Sequence, residues 1–210
     1  MIYLLSPTKR EGCFSLPMIR FSIVSQKINF SNIDYLMFTS KQAVVSADLI
    51  DKSWKNYPSI AIGKATKKQI EILGGKVAYV PANFYGENLA EDIKLYFSDK
   101  KILYLRPKEI SFNSKAYLAK EGIMLKEQIL YETSCVCYDN ISIDNNSIII
   151  FTSPSTIKCF FKNFIWDNSL VAVLIGRATK EHLPYYCRYV VADEPLIDSC
   201  VKKAKELEKD

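Results

Sequence analysis

The tightest constraint on this chain is a pair of phrases written twice. Phe38-Thr39-Ser40 recurs as Phe151-Thr152-Ser153, and the run from Ala61 to Lys67 (AIGKATK) recurs from Leu174 to Lys180 (LIGRATK). Both pairs share one offset of 113 residues. Two matches in register mark an internal duplication, which bounds the fold before any single element is read. A length of 210 residues then leaves two units of roughly 100 residues each, a common domain size. A fainter repeat relates the unit openings: IYLLSP from Ile2 resembles ILYLRP from Ile102.

Around these phrases, apolar runs of strand length alternate with helical patterns. Runs at 33–40, 59–63, 76–81 and 101–107 read as strands. Helical spacing follows at 41–54, 65–75 (stopped at Gly74 or Gly75), 87–97 and up to Gly122. The second copy repeats the order, with strands at 147–153, 170–176 and 188–192 and helices at 154–164, 178–186 and 196–209. It is shorter near its end: Thr66 to Tyr79 is 13 positions, Thr179 to Tyr189 only 10. Alternation of this kind predicts α/β layers with parallel sheets. Two further runs, MIYLLSP at the start and the β-rich stretch after Gly122, also read as extended. The stretches near Pro17–Val24 and Gln128–Tyr138 are the natural crossovers between lobes. One lobe is then continuous over 19–135, and the other is assembled from 1–18 and 136–210.

Composition narrows the partners. The net charge of +5 suits an acidic ligand, but it also suits an ordinary soluble surface. No basic run marks a nucleic-acid stripe. The six cysteines form no CxxC pair and have one histidine, His182, to join them, so zinc-ligand spacing is missing. Buried free thiols in a reducing compartment are the expectation. The first residues are charged too soon for a signal peptide. No apolar run reaches about 18 residues, so no membrane span is expected. A cytoplasmic protein follows from these readings, with no metal and no nucleotide loop.

The doubled phrases carry the chemistry. Each FTS places two hydroxyl residues at the carboxyl end of a strand, just before a helix. Ser40 and Ser153 suit the N-cap, and Pro154 suits the first helical turn. Each IG-x-A-T repeats the geometry with a glycine that lets a ligand approach the backbone. In open α/β sheets, ligands lie beyond the carboxyl ends of strands, and helix N-termini there favour anions. Four such turns suit a large ligand with several carboxylates or phosphates between the lobes. Lys41, Lys64 and Arg177 stand inside the turns and would add positive potential. The plain alternative is that the hydroxyls merely cap helices and the glycines merely turn the chain. His182 reads as a surface or half-buried residue, and Tyr185, Tyr186 and Tyr189 read as packing.

At these residues the chain resembles the uroporphyrinogen-III synthase family, which carries an FTS-type turn and an A-(I/V)-G-x-x-T turn in each of two lobes. Leu105-Arg106 matches a family strand end. Gly122 and the run holding Tyr131 match its helix stop and extended segment, and Pro17 matches a proline of the first crossover. The resemblance covers nearly the whole chain. It implies two related flavodoxin-like lobes with parallel sheets, joined by two extended crossover strands. It implies hydroxymethylbilane, a linear tetrapyrrole with eight carboxylates, as substrate, and a cyclising lyase reaction without cofactor, in a monomer. It also implies Tyr131 as the acid that helps the hydroxyl leave. Thr39, Ser40, Gly63, Thr66, Arg106, Thr152, Ser153, Ser155, Gly176 and Thr179 are the candidate substrate-binding residues.

The chain departs from the family where Pro107-Lys108 follows the arginine, where Lys180-Glu181 follows the second IG turn, and where the first helix is missing. A two-lobed α/β protein that closes on a polyanion without reacting it is the competing reading. A nucleotide-dependent transferase is disfavoured by the missing phosphate loop.

Overall fold

The computed structural model describes residues 1–208. The chain divides into two units, one made of Met1–Arg20 with Thr133–Asp210 and one of Phe21–Glu132. We call the first the split unit and the second the continuous unit. The second segment of the split unit closes with a helix whose sequence pattern runs to Lys209, which lies outside the described residues.

The continuous unit is built on β4 (Tyr35–Phe38), β5 (Pro58–Ala61), β6 (Lys76–Tyr79), β7 (Ile102–Pro107) and β8 (Leu125–Cys135), with β3 (Ile19–Ile23) on the edge. The sheet order is β3-β8-β7-β4-β5-β6, and the four pairs from β8 to β6 are parallel. Each strand from β4 to β7 returns through a helix: α1 (Lys41–Ile50), α2 (Lys64–Ile72), α3 (Gly86–Tyr96) and α4 (Ser114–Lys120). The β3 edge runs the other way, since Val24 N–H bonds Leu130 O while Val136 N–H bonds Met18 O.

Side-chain alternation along each strand divides the core into two layers. Leu36, Phe38, Leu103, Leu105 and Tyr131 face Ala43, Val44 and Ala47 of α1, with Trp54 and Ile70. Met37, Ile60, Ile102 and Tyr104 face Leu89, Ala90 and Ile93 of α3 and Leu118 of α4. The helical pattern of 41–54 does not form one helix. Asp51 leaves the helical region and caps a 3-10 turn at Lys52–Asn56 by accepting the N–H of Ser53. The side-chain carboxylate competes with the backbone ladder, as Asp commonly does. Gly74, with φ of 85°, supplies the left-handed stop after α2.

The split unit holds β1 (Ile2–Leu4), β2 (Phe14–Ser15), β9 (Ile148–Phe151), β10 (Val171–Leu174) and β11 (Tyr189–Val191) in the order β11-β10-β9-β1-β2. All four pairs are parallel. Its helices are α5 (Pro154–Asn163), α6 (Arg177–Lys180) and α7 (Ile197–Leu207). Ile2, Leu4, Ile148, Ile150 and Val173 bury against Cys200, Val201 and Ala204 of α7. Phe151 meets Phe160 of α5 edge-on at 5.4 Å. The helix expected over 178–186 stops at Lys180. Pro184 disfavours the helical region at the residue before it, and the chain continues as turns.

Register relates the two sheets residue by residue. Phe38 pairs with Ala61 and Phe151 with Leu174, which stand 113 positions on. Tyr35 pairs with Ile102, and Ile148, the residue 113 positions after Tyr35, pairs with Ile2. The order β6-β5-β4-β7-β8 therefore matches β11-β10-β9-β1-β2. The last strands align differently from the tyrosine-to-tyrosine spacing. Ile60 pairs with Tyr79 across a bulge, whereas its counterpart Val173 pairs with Val190. Tyr79 thus corresponds to Val190, and the bulge absorbs part of the length difference.

The expectation of six free thiols is overturned. Cys135, at the end of β8, and Cys159, on α5, form a disulfide across 24 residues of sequence. No CxxC spacing announces it, because the fold rather than the chain brings the two together. Cys200 and Cys187 are buried free thiols, Cys13 is half-buried, and Cys137 is exposed. Among the described residues no helix is long and apolar enough to cross a membrane.

Candidate active site

Four strand-to-helix turns carry the residues singled out by sequence, except Arg106 on β7 and Tyr131 on β8. In the continuous unit, Phe38 ends β4 on the α1 face, so Thr39 falls on the opposite face and Ser40 returns to the first. Each hydroxyl meets a phenol there. Thr39 Oγ1 lies 2.7 Å from the Tyr104 hydroxyl, and Ser40 Oγ lies 3.0 Å from the Tyr131 hydroxyl. Ser40 also accepts the Ala43 N–H at 3.0 Å and is the N-cap of α1. Burial raises both phenols, Tyr131 above its ordinary range and Tyr104 to about 12. The charged form loses its hydration in these apolar layers, so both residues keep their protons at neutral pH.

Arg106 lies on the face of Tyr104. Its Nε stands 3.2 Å from Glu127 Oε1, close enough for an ion pair but off the line of a hydrogen bond. Its Nη1 donates to the carbonyls of Pro107 and Lys108. With 15% of its side chain exposed, Arg106 shapes the loop after β7. Gly63 caps α2 with extended backbone. A Cβ there would stand 3.1 Å from the Phe84 ring, so the glycine admits the aromatic of the loop before α3. Thr66, in the first turn of α2, is 4% exposed.

In the split unit, Ser153 caps α5 reciprocally. Its Oγ accepts the Thr156 N–H, while Thr156 Oγ1 accepts the Ser153 N–H. Thr152 and Ser155 flank it, both half-buried. Gly176 caps α6 with φ of 176°, and a Cβ at this position would meet no atom within 4 Å. Thr179 is 3% exposed, and its N–H bonds Gly176 O. His182 is exposed. The structure thus gathers Thr39, Ser40, Arg106 and Tyr131 around the end of β4 in one unit, and Thr152, Ser153 and Ser155 at the end of β9 in the other.

Charge at these turns follows one pattern. The helices α1, α2, α5 and α6 have no acidic residue in the first turn. Lys41, Lys64 and Arg177 are the first residues of α1, α2 and α6, and all three are exposed. A cation at a helix start opposes the helix dipole, where an anion is favoured by about 0.3–1 kcal/mol. Of the other helices, α3 and α7 carry Glu87 and Asp198 in their first turns, while α4 carries no acid there. The doubled turns therefore keep an unbalanced positive field that a bound anion would neutralise.

A family model described as "Uroporphyrinogen-III synthase HemD" matches residues 12–202. The chain belongs to the uroporphyrinogen-III synthase family. Its fold agrees with solved members. The uroporphyrinogen-III synthetase of Helicobacter pylori superposes with a TM-score of 0.77 at 25% identity over 98% of both chains. A mutant uroporphyrinogen III synthase from Thermus thermophilus superposes with a TM-score of 0.54 at 11% identity, over 92% of this chain and 88% of that one, a likeness of fold. The "Porphyrin biosynthesis protein HemD" of Ruminiclostridium josui is 26% identical over 196 residues, 85% of this chain. The chain spans 39% of that relative's length.

Within this uroporphyrinogen-III synthase family member, sequence reading missed Tyr104 and Phe84. The signal for Tyr104 was present. Tyr104 sits in register with Met37, one residue short of the Phe38–Leu105 pair, and alternation puts it on the face that Thr39 takes. Phe84 gave no such signal, because its place over Gly63 depends on the path of an irregular loop.

Proposed function

We propose that the protein is a uroporphyrinogen-III synthase, a cyclising lyase that converts hydroxymethylbilane into uroporphyrinogen III. In this reaction the bilane loses its hydroxyl to give an azafulvene. A ring carbon of the last pyrrole attacks through a spiro intermediate, and closure follows with that ring inverted and one water released. The observation that carries the reading is the charge pattern of the doubled turns, whose helices begin with cations or neutral residues and never with acids. Such turns suit a substrate with eight carboxylates.

Family membership supports this reaction, and the geometry of the turns supports the following roles. Thr39, Ser40, Gly63 and Thr66, with Thr152, Ser153, Ser155, Gly176 and Thr179, form the strand-end turns that meet carboxylates. The hydroxyls contribute donors, and the glycines and buried threonines shape the backbone. Arg106 holds the loop after β7 and adds positive charge. Tyr131, protonated at neutral pH, is the acid that assists departure of the hydroxyl. Most of the acceleration comes from holding a flexible polyanion in a closing conformation.

The matching strand order and register favour descent of the two units from one duplicated ancestor. One chain supplies both sets of turns, so the protein acts as a monomer. Its place is the cytoplasm, where the Cys135–Cys159 bridge would stand reduced. The test is purified protein given freshly prepared hydroxymethylbilane. The type III isomer is expected. The spontaneously formed type I isomer alone, at high protein concentration, would sink the proposal.

A further inference from the structure

Tyr104 is 2% exposed, in the layer formed by Met37, Ile60, Leu89, Ile93 and Leu118, with its hydroxyl 2.7 Å from Thr39 Oγ1. A bond between two hydroxyls has two possible polarities. If Thr39 donated, the phenol hydrogen of Tyr104 would lack an acceptor, because Thr39 is the hydrogen-bond partner of its hydroxyl among the described residues, although Arg106 and Glu127 stand nearby. A buried O–H without an acceptor forfeits the bond it makes with water in the unfolded chain. Thr39 is half-buried, so its own hydrogen can find solvent or a ligand. The balance makes Tyr104 the donor and Thr39 the acceptor. Thr39 then turns its hydrogen away from the sheet, past the carboxyl end of β4, where a ligand would lie.

We propose that Tyr104 is a positioning residue that orients Thr39 as a hydrogen-bond donor to one carboxylate of the polycarboxylate substrate. The inference rests on the reading of the chain as a uroporphyrinogen-III synthase. Burial keeps the polarity fixed, since the phenol is pushed up to about 12 and holds its proton across the physiological range. The device belongs to one unit. Ile2 and Ile102 hold matching register positions, so Leu4 stands where Tyr104 stands, and Leu4 has no hydroxyl with which to orient Thr152.

The test is steady-state kinetics with hydroxymethylbilane on the full chain. Tyr104→Phe keeps the ring in its layer and removes the hydroxyl. Its KM is expected to rise about five- to tenfold with kcat within about twofold, the signature of lost binding. Tyr104→Leu, the residue of the other unit, is the second variant and should give the same rise. Thr39→Ala should raise KM at least as much, and Thr39→Ser should retain most of the wild-type value. The double variant Tyr104→Phe/Thr39→Ala should be no worse than Thr39→Ala, because one interaction is removed twice. Additive effects in the double variant, or a wild-type KM in Tyr104→Phe, overturn the positioning role while leaving the enzyme reading intact. A wild-type protein that yields the type I isomer alone removes the enzyme reading and the positioning role together.

Discussion

The Tyr131 hydroxyl lies 3.0 Å from Ser40 Oγ, and that oxygen simultaneously accepts the Ala43 N–H that begins α1. A serine hydroxyl offers one hydrogen and two lone pairs. With one lone pair taken by Ala43, Ser40 keeps one hydrogen and one lone pair, so it can meet the Tyr131 phenol as donor or acceptor as the phenol hydrogen turns between Ser40 and a substrate. The catalytic candidate is thus tied to a helix cap rather than standing alone in a crossover strand.

The first prediction concerns the phenol itself. Tyr131→Phe keeps the ring, which meets Phe21 edge-on at 5.5 Å. Its stability should fall by no more than about 1 kcal/mol, the net value of one hydrogen bond. Type III isomer formation should fall by about 100-fold, the low end of what a positioned acid contributes. Chromatographic separation of the isomers over time measures this. Undiminished turnover removes Tyr131 from the acid role.

Ser40 and Ser153 occupy matching positions but are held differently, which separates cap from chemistry. Ser153→Ala removes a reciprocal cap and should cost about 1 kcal/mol, within the range for N-caps. Ser40→Ala removes a cap and also the partner of a buried phenol, so it should cost roughly 1–3 kcal/mol more, the penalty for an unsatisfied buried group. Urea denaturation of the two variants side by side measures the difference. Equal losses would show that the Ser40–Tyr131 bond contributes nothing to the fold.

The two sheets, the parallel order and the four capped turns were legible in the sequence, because each rests on local signals. Apolar runs of strand length, Ser before a helical pattern and Pro154 at a first turn are read within a few residues. The FTS and IG-x-A-T signals are also written twice, 113 positions apart. What was not legible depends on positions distant in the chain. The Cys135–Cys159 pair, the bulge that shifts Tyr79 against Ile60, and Phe84 over Gly63 are made by tertiary packing. Arg106 shows the same limit: its sequence place marked a strand end, but its pairing with Glu127 required knowing the register of β8.

Tyr104 should also leave a mark on alkaline stability. Its phenol titrates near 12 in the folded protein and near its ordinary value of about 10 when unfolded. Between these values the unfolded chain binds fewer protons, so stability falls as pH rises from about 10 towards 12. The loss is on the order of 2–3 kcal/mol for a shift of this size. Below pH 10 the group contributes no pH dependence. Denaturation of wild type and Tyr104→Phe at pH 9 and pH 11 tests this. A difference between the two proteins that stays constant across that range refutes the assignment.

Gly63 and Gly176 repeat one sequence position but face different surroundings. Alanine at 63 must displace the Phe84 ring, whose nearest atom is 3.1 Å from the new Cβ, and a loss of about 1 kcal/mol is expected for such crowding. Alanine at 176 meets open space on an extended backbone that any residue adopts, so stability should change by less than about 0.5 kcal/mol. If Gly176 is kept for close approach of the substrate, its alanine variant should raise KM severalfold with an unchanged melting temperature. An unchanged KM would assign Gly176 to the chain turn alone.

The disulfide makes the last prediction. It closes a loop of 24 residues between the end of β8 and α5. A loop of that length contributes about 3 kcal/mol in the chain-entropy model. The helix it anchors has other supports: the Ser153–Thr156 cap at its start and Phe160 against Phe151. Reduction should therefore lower the melting temperature by about 5–10 °C without dissolving α5. Far-ultraviolet circular dichroism at 25 °C should be the same in both forms. Cys135→Ser/Cys159→Ser should melt with the reduced protein and respond to reductant no further. Activity should persist after reduction, because the Ser40–Tyr131 and Thr39–Tyr104 pairs lie in the continuous unit and the Ser153–Thr156 cap holds the start of α5 without the bridge. A reduced protein that loses its helical signal would mean that the bridge, rather than the cap and the aromatic packing, holds α5 in place.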